Sequence, residues 1–526
     1  MPSQSAITLG SATTLDPAAA LLQPRVDAGV PERLARSAAA TDGGVMRTDA
    51  FAAWFARRRE AHPFRVERIP FDRLEGWSFD GRTGDLVHRS GRFFTVEGLH
   101  VSVDEGRRGA WHQPIIKQPE VGILGILVKE FDGVLHLLMQ AKMEPGNVNL
   151  LQLSPTVQAT RSNYTKVHRG VDVKYLDHFT RPGRGRVLVD VLQSEHGAWF
   201  LHKSNRNMIV EASGEVAVAE DFCWLTLGQI GRLLHLDNVV NMDARTVLAC
   251  APVAAALVDG PAATPAARPA PGPAVTAPST APVPPADGRS TRTTRYTQAL
   301  RRSAEPAAGA LHSDAELLSW FASERSRHDL VVRRMPLREL PGWHRREDVV
   351  EHADGLGFRV VAVAVAAASR EVARWTQPLI EPNGTGVMAF VTRQIGGVAH
   401  VLVHARVEGG FLDTVELAPT VQHVPGEFVA TEDPGGRPPF LDLVLAAPPD
   451  RVRYEAVHSE EGGRFLAAQS RYLLVEADEH DAPVQEPPGY RWVTPGQLSW
   501  LVRHGHYLNV QARTLLACLN ALVGGQ

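Results

Sequence analysis

The chain has 526 residues, with 55 Lys and Arg against 58 Asp and Glu, a formal net charge of −3 at pH 7 and 44% hydrophobic residues. That balance supplies no general field for nucleic acid or an anionic membrane surface, so any phosphate site has to be local. Three cysteines, Cys223, Cys250 and Cys518, fall in no CxxC or CxH spacing and exclude a disulfide framework, and the longest apolar run, 360–368, is far short of the roughly 20 residues of a membrane helix. The expectation is a soluble, unexported chain in a reducing cytoplasm, with neither nucleic acid nor membrane among its partners.

Residues 1–45, rich in Ala, Ser, Thr and Gly without sustained periodicity, predict a flexible N-terminal tail holding one short helix. An amphipathic helix is predicted from Phe51 to about Ala61, with Trp54 and Phe55 anchoring it to a sheet. Strands and turns follow, and a closing helix is expected around Ala244–Leu257. From 258 to 292 the composition turns to Pro, Ala and Thr, which favours extended chain over a packed core and reads as a linker. The plan then starts again: a helix from Ala315 to about Arg327 with Trp320 and Phe321, several strands, and a closing helix at Ala512–Leu522.

This second plan is a copy of the first. Trp111-His-Gln-Pro returns as Trp375-Thr-Gln-Pro, and HLLMQAKMEPG from His136 returns as HVLVHARVEGG from His400, each 264 residues on. Likewise WFARRREAHPFRVERIPFDRLEGW from Trp54 matches WFASERSRHDLVVRRMPLRELPGW from Trp320, and MDARTVLAC at Met242 matches VQARTLLAC at Val510. A period this long marks a duplicated domain, not a solenoid unit. The fold class is α+β, twice over: a first repeat at 46–257, the linker at 258–292 and a second repeat at 293–526.

Polar residues alternate through the best-matched block. Gln140, Lys142 and Glu144 share one face of a predicted strand, matched by His404, Arg406 and Glu408. Just downstream Gln152, Ser154, Thr156 and Gln158 do the same, against Glu416, Ala418, Thr420 and Gln422. Two such rows make either a wall of hydrogen-bonding groups or the wet faces of antiparallel strands. Gln and Thr make directional bonds, whereas a wet face is dominated by Lys and Glu, which favours the wall.

The two copies then diverge. The first continues through Arg161, Asn163, Tyr164, Lys166, His168, Arg169 and Tyr175, a set that suits a diphosphate and an aromatic base, or else forms a solvated basic loop. The counterpart HVPGEFVATEDPGG has lost the Arg, Lys and Tyr groups, and Lys117, Gln118 and Glu120 face Glu381, Pro382 and Gly384. The first copy is expected to be active, the second a vestigial pocket with a structural role.

The W-x-Q-P-x-I motif at Trp111, the block LLMQAKMEPGNVNLLQLSPTVQATRSNYTKVHRG and the ending ARTLLAC resemble the NDP-hexose 2,3-dehydratases of deoxysugar biosynthesis, from about Thr48 to Asn520. The resemblance implies two tandem Nudix-like domains in a homodimer, acting on dTDP-4-keto-6-deoxyglucose in a pathway of glycosylated natural products. The product would pass to a 3-ketoreductase or an aminotransferase. In that comparison LLQLSPTVQ stands where a Nudix hydrolase has its Leu-Pro-Gly-Gly turn, and the Arg-Glu-x-x-Glu-Glu metal box is absent from the chain. That departure argues against diphosphate hydrolysis and for an inherited nucleotide-sugar pocket put to another use.

The reaction so implied is a β-elimination: the ketone at C4 acidifies the hydrogen on C3, and its loss with the C2 hydroxyl leaves an enol that tautomerises. It needs a base, a donor at the ketone oxygen and an acid for the departing hydroxyl, and no cofactor. Either Glu144 or His168 is the base, either Lys142 or Tyr164 steadies the enolate, and a remaining member of the set is the acid. Lys142 and Glu144 could instead be an ion pair that only orders the wall, since Arg406 and Glu408 preserve it. Arg161, Lys166 and Arg169 would hold the diphosphate and Trp111 or Tyr175 the thymine, although Trp111, matched by Trp375 in the other copy, fits a core role equally well; Gln113, Gln140, Gln152, Thr156, Gln158 and Asn163 are further substrate contacts. No HExxH or similar spacing indicates a metal. The alternatives are a Nudix-type hydrolase and a non-catalytic nucleotide-sugar-binding protein.

Overall fold

The computed structural model describes residues 29–42, 44–106, 109–160, 173–252, 288–304, 309–367, 373–428 and 437–524. Each repeat builds a seven-stranded mixed sheet and, together with its sibling, a five-stranded one. In the first repeat the large sheet runs Gly185–Ser194, Ser204–Ala212, Gly122–Phe131, Val134–Met143, Phe222–Leu225, with Leu151–Ser154 and Val157–Ala159 paired to Val134–Met143 and Gly122–Phe131 respectively. Gly122–Phe131 runs parallel to Ser204–Ala212 and is buried on both faces through most of its length, which is why GILGILV reads as an unbroken apolar run. The second repeat reproduces this plan around Gly386–Ile395 and Val398–Val407.

The repeats are interlocked by strand exchange. Phe64–Ile69 pairs antiparallel with Phe358–Ala367 of the second repeat, in register from Phe64 opposite Ala367 to Ile69 opposite Ala362. Reciprocally, Leu330–Met335 pairs with Thr95–Val103 of the first. Each small sheet is thus completed by a strand from the other half.

The seam between the halves is equally symmetric. Helices Met242–Ala249 and Val510–Gly524 pack together, each carrying a fully buried arginine. Arg245 donates to Ser459 O at 2.6 Å and Thr514 Oγ1 at 3.4 Å, while Arg513 donates to Thr246 Oγ1 at 2.6 Å and to Ser194 O. Each guanidinium satisfies carbonyls that the other repeat would otherwise leave buried without a donor. One continuous apolar core, including Leu137, Val247, Leu474 and Leu515, runs through the seam.

The opening helices form at Thr48–Ala61 and Asp314–Arg327, with Trp54, Phe55 and Phe321 buried as expected. The end of the expected N-terminal tail is more firmly placed than composition suggests. Helix Val30–Ala39 buries Val30, Leu34 and Ala38, and Ser37 Oγ donates to Leu135 O and accepts from Leu227 N at 2.9 Å. Its counterpart, Gly288–Ser303, starts inside the stretch read as linker. Arg36 and Arg302 make matching bonds to Gly133 O and Gly397 O. The first helix also buries Ala35, and the second buries Tyr296, Ala299 and Leu300. Among the described residues, no helix is long and apolar enough to cross a membrane.

Candidate active site

A glycine in each repeat decides where the site lies. Gly146 N donates to Gly462 O at 2.7 Å, and Gly410 N donates to Gly197 O at 2.7 Å. A Cβ on Gly146 would stand 1.7 Å from Phe465 O, and one on Gly410 1.9 Å from Phe200 O, so only glycine admits this approach. The EPG and EGG motifs are therefore docking points: the loop after Ser194 reaches the second repeat, and the loop after Ser459 reaches the first.

The cavity at the end of strand Val134–Met143, about 490 Å³, consequently has walls from both halves. Lys142, Glu144, Gln158, Glu195, Lys203 and Asp243 come from the first repeat, and Trp375, Gln377, Glu461 and Arg464 from the second. Glu144, just past the strand end, is 3% exposed, and its Oε1 lies 3.7 Å from Lys142 Nζ. Gln158 Nε2 donates to the same oxygen at 2.7 Å, and Asn241, which caps helix Met242–Ala249, donates to Gln158 Oε1 at 3.4 Å. A chain of amides thus fixes the Glu144 carboxyl.

Three more carboxyls face this pair. Glu195 is buried; its Oε1 accepts from Asn205 Nδ2 at 2.7 Å and its Oε2 has no partner. Asp243, the second residue of its helix, is 4% exposed, and burial, reinforced by the charges of Glu195, Glu461 and Glu144, raises its carboxyl well above the usual range. Glu461 Oε1 accepts from Gly463 N at 3.1 Å and its Oε2 is buried without a partner. Burial pushes this carboxyl up to about 7, against the pull of Arg464.

The cations are anchored. Lys203 donates to Asn205 Oδ1 at 2.8 Å, to Ser204 O at 3.3 Å and to Glu120 O. Burial pushes its ammonium down to about 8, but three oxygen acceptors make it the clamp of the loop that carries Glu195. Arg464 donates to Gln118 Oε1 at 3.2 Å and lies 4.4 Å over the Phe94 ring. At the mouth stand exposed Arg89 and Arg374 with Trp77, Phe93 and Trp375.

In the second repeat the corresponding groups close on one another. Arg406 Nε donates to Glu408 Oε1 at 2.6 Å and its other arm reaches Glu427 at 3.2 Å. Ala468 replaces Lys203 and Gln511 replaces Asp243. In the positions of Glu461 and Arg464, His196 and Trp199 stack at 4.4 Å and fill the space.

Of the side chains singled out by sequence, Lys142, Glu144 and Gln158 line the cavity. Trp111 and Gln113 do not: Trp111 Nε1 donates to Gln113 Oε1 at 2.7 Å, and Gln113 Nε2 to Ala198 O at 2.6 Å. Their strand is bonded to the loop that crosses into the second repeat, and Trp375 and Gln377 take their place here, Gln377 donating to Gly463 O at 2.7 Å. Gln152 accepts from Ser459 Oγ at 2.8 Å in the seam. Thr156 is buried, donating to Leu138 O and accepting from Leu127 N at 2.8 Å, as Thr420 does for Leu402 and Val391. Gln140 lies in the strand outside the cavity lining. Tyr175 spans a loop, its hydroxyl donating to Ala217 O at 2.9 Å and accepting from Ala219 N at 2.8 Å. Arg161, Asn163, Tyr164, Lys166, His168 and Arg169 lie outside the described residues; Thr160 and Val173, on either side of them, both line the cavity.

Glu195, Lys203, Asp243, Glu461 and Arg464 went unread in the sequence. A signal existed, because SEHGAWFLHKSNRN against SEEGGRFLAAQSRY differs at the positions of Glu461, Arg464 and Lys203. Among the described residues, no three His, Cys, Asp or Glu side chains are arranged to hold a metal ion.

Glu144, Glu195, Asp243 and Glu461, with Lys142 and Lys203, surround one cavity, a lining suited to an enzyme that moves protons. The model of the NDP-hexose 2,3-dehydratase family matches residues 48–251 and again 314–519, and the chain belongs to this family. It is 54% identical over 512 residues to an Amycolatopsis orientalis protein, covering 96% of this chain and 97% of that one. With a Saccharopolyspora spinosa protein the identity is 51%, over 93% of this chain and 95% of the relative. With one from Streptomyces violaceoruber it is 48%, over 91% and 98%. All three are named dTDP-4-dehydro-6-deoxy-alpha-D-glucopyranose 2,3-dehydratase.

Proposed function

We propose that this chain is a hydro-lyase that removes water from dTDP-4-keto-6-deoxy-D-glucose, taking the C3 proton and the C2 hydroxyl to give the dTDP-3,4-diketo-2,6-dideoxyhexose. The observation that carries the reading is the cavity in the first repeat, where Lys142 stands paired with the buried Glu144 beside further carboxyls while the mirror-related space is filled.

Glu144, held by Gln158, takes the C3 proton, and Lys142 steadies the negative charge that develops on the C4 oxygen. His168 and Tyr164 are the alternatives for these roles. Departure of the C2 hydroxyl as water leaves an enol at C3, whose tautomerisation returns a proton to C2. Carbon 2 is reduced and carbon 3 oxidised within one molecule, so no external hydride is consumed. Each positioned acid or base contributes on the order of 10²–10⁴ in rate. At the mouth, Arg89 and Arg374 suit the diphosphate, and the aromatic rim of Trp77, Phe93 and Trp375 suits thymine; Arg161, Lys166 and Arg169 are further diphosphate candidates by charge alone. The second repeat serves as scaffold and lends Glu461 and Arg464.

The enzyme would act as a cytoplasmic homodimer, passing its reactive diketone to a 3-ketoreductase or an aminotransferase. The test is to incubate the purified protein with dTDP-4-keto-6-deoxyglucose in heavy water and follow it by mass spectrometry and NMR. Loss of one water with deuterium at C2 is expected. Release of thymidine monophosphate and sugar phosphate, or return of the substrate, would overturn the reading.

A further inference from the structure

The elimination requires an acid near C2, and Lys142 and Glu144 are engaged as donor and base. Two carboxyls, one from each repeat, are left on the opposite wall. The Asp243 side chain, 4% exposed at the start of a helix, lines the cavity and makes no hydrogen bond among the described residues. Glu461 keeps one oxygen, Oε2, buried and unbonded, and beside them Glu195, 3% exposed, has an unbonded Oε2 as well. Unsatisfied buried oxygens converging on a cavity are costly unless a proton or a ligand completes them.

The mirror-related site shows how close these positions come. There Gln511 stands for Asp243 and His196 for Glu461, and Gln511 Nε2 meets His196 Nε2 at 2.9 Å. In the first repeat the corresponding positions carry two carboxyls, both lining the cavity, and the charge of Glu461 is among those that raise the Asp243 carboxyl.

We propose that Asp243 and Glu461 form a carboxyl pair, built across the repeats, that donates the proton with which the C2 hydroxyl departs. This rests on the dehydratase reading above. Two neighbouring carboxyls resist ionising together, so the pair holds one proton at neutral pH and supplies it where a single exposed carboxyl would not. In the step, the C4 enolate electrons form the C2–C3 double bond as the C2–O bond breaks. The oxygen takes the pair's proton and leaves as water. The pair recovers a proton when the C3 enol hydroxyl gives up its own, and C2 takes the proton held by Glu144, which has exchanged with solvent. Placing half of the acid on each repeat also explains why a filled, inactive second half is retained.

The experiment separates acid from base. Wild type, Asp243→Asn, Glu461→Gln and Glu144→Gln are each incubated with dTDP-4-keto-6-deoxyglucose in heavy water. Water loss, deuterium at C3 of recovered substrate and thermal midpoint are then measured. Asp243→Asn and Glu461→Gln should lose at least about 100-fold in dehydration yet return substrate deuterated at C3, because base and enolate stabiliser are intact, whereas Glu144→Gln loses both. The alkaline limb of the wild-type rate profile should move in Glu461→Gln. If both variants dehydrate within about threefold of wild type, or if folded variants lose C3 exchange along with elimination, the pair is not the acid. Failure of the wild type itself to release water would instead overturn the dehydratase reading beneath it.

Discussion

The two halves of this molecule share a backbone and differ in what fills one space. In both, an Asn–Gln–Glu chain of amides fixes a buried carboxylate: Asn241, Gln158 and Glu144 in one, Asn509, Gln422 and Glu408 in the other, with the Gln–Glu bond at 2.7 Å each time. Around Glu408 the longer Arg406 and the stacked rings of His196 and Trp199 leave no room, whereas Lys142, Glu461 and Arg464 leave a cavity of about 490 Å³. The two halves thus share one scaffold and differ in a handful of side chains placed on it.

That contrast can be broken from several directions. The largest effect is expected from Arg464→Trp, which puts into the cavity the side chain that fills its mirror image. Dehydration should fall by more than about 10², as substrate can no longer be positioned, with the thermal midpoint little changed. Smaller but structural is Arg245→Met, which breaks the seam in a way both halves feel. Loss of charge-assisted bonds worth about 1.5–3 kcal/mol each should lower stability by more than about 3 kcal/mol in chemical denaturation.

Smaller again is a pH effect. The Glu461 carboxyl is raised from 4.5 to about 7, so the folded chain keeps a proton that the unfolded chain releases between these values. Its contribution is fully present below pH 4.5 and is lost as pH rises through about 7. Glu461→Gln should accordingly melt above wild type at pH 8 and close to it at pH 5. Thr156→Val, which removes a buried hydroxyl that both repeats use in the same way, should cost about 1–3 kcal/mol without touching the chemistry.

Much of the architecture was legible from side-chain periodicity and from the internal copy. Strand Val134–Met143, the opening helices and the pairing of Lys142 with Glu144 follow from local alternation. What local pattern does not encode is where a loop goes after it leaves its own sheet. Trp111 and Gln113 were expected at the first cavity because their repeat owns it, yet the loop they support crosses to the other half, and Trp375 and Gln377 arrive by the same crossing in return. Asp243 and Glu461 are not legible for that reason too, being far apart in the chain and brought to one cavity by the docking of Gly146 on Gly462. The glycines in EPG and EGG carried that information, but their meaning depends on the carbonyl they approach.

Of two mirror-related carboxylates, each held by a glutamine at 2.7 Å, the proposed chemistry uses Glu144 alone. Glu144→Gln and Glu408→Gln are isosteric changes at mirror-related positions, and Arg406 keeps Glu427 as a partner in the second. Measured side by side for dehydration of dTDP-4-keto-6-deoxyglucose, Glu144→Gln should lose at least about 100-fold while Glu408→Gln stays within about threefold of wild type. Equal losses in two folded variants, or an active Glu144→Gln, would contradict the account.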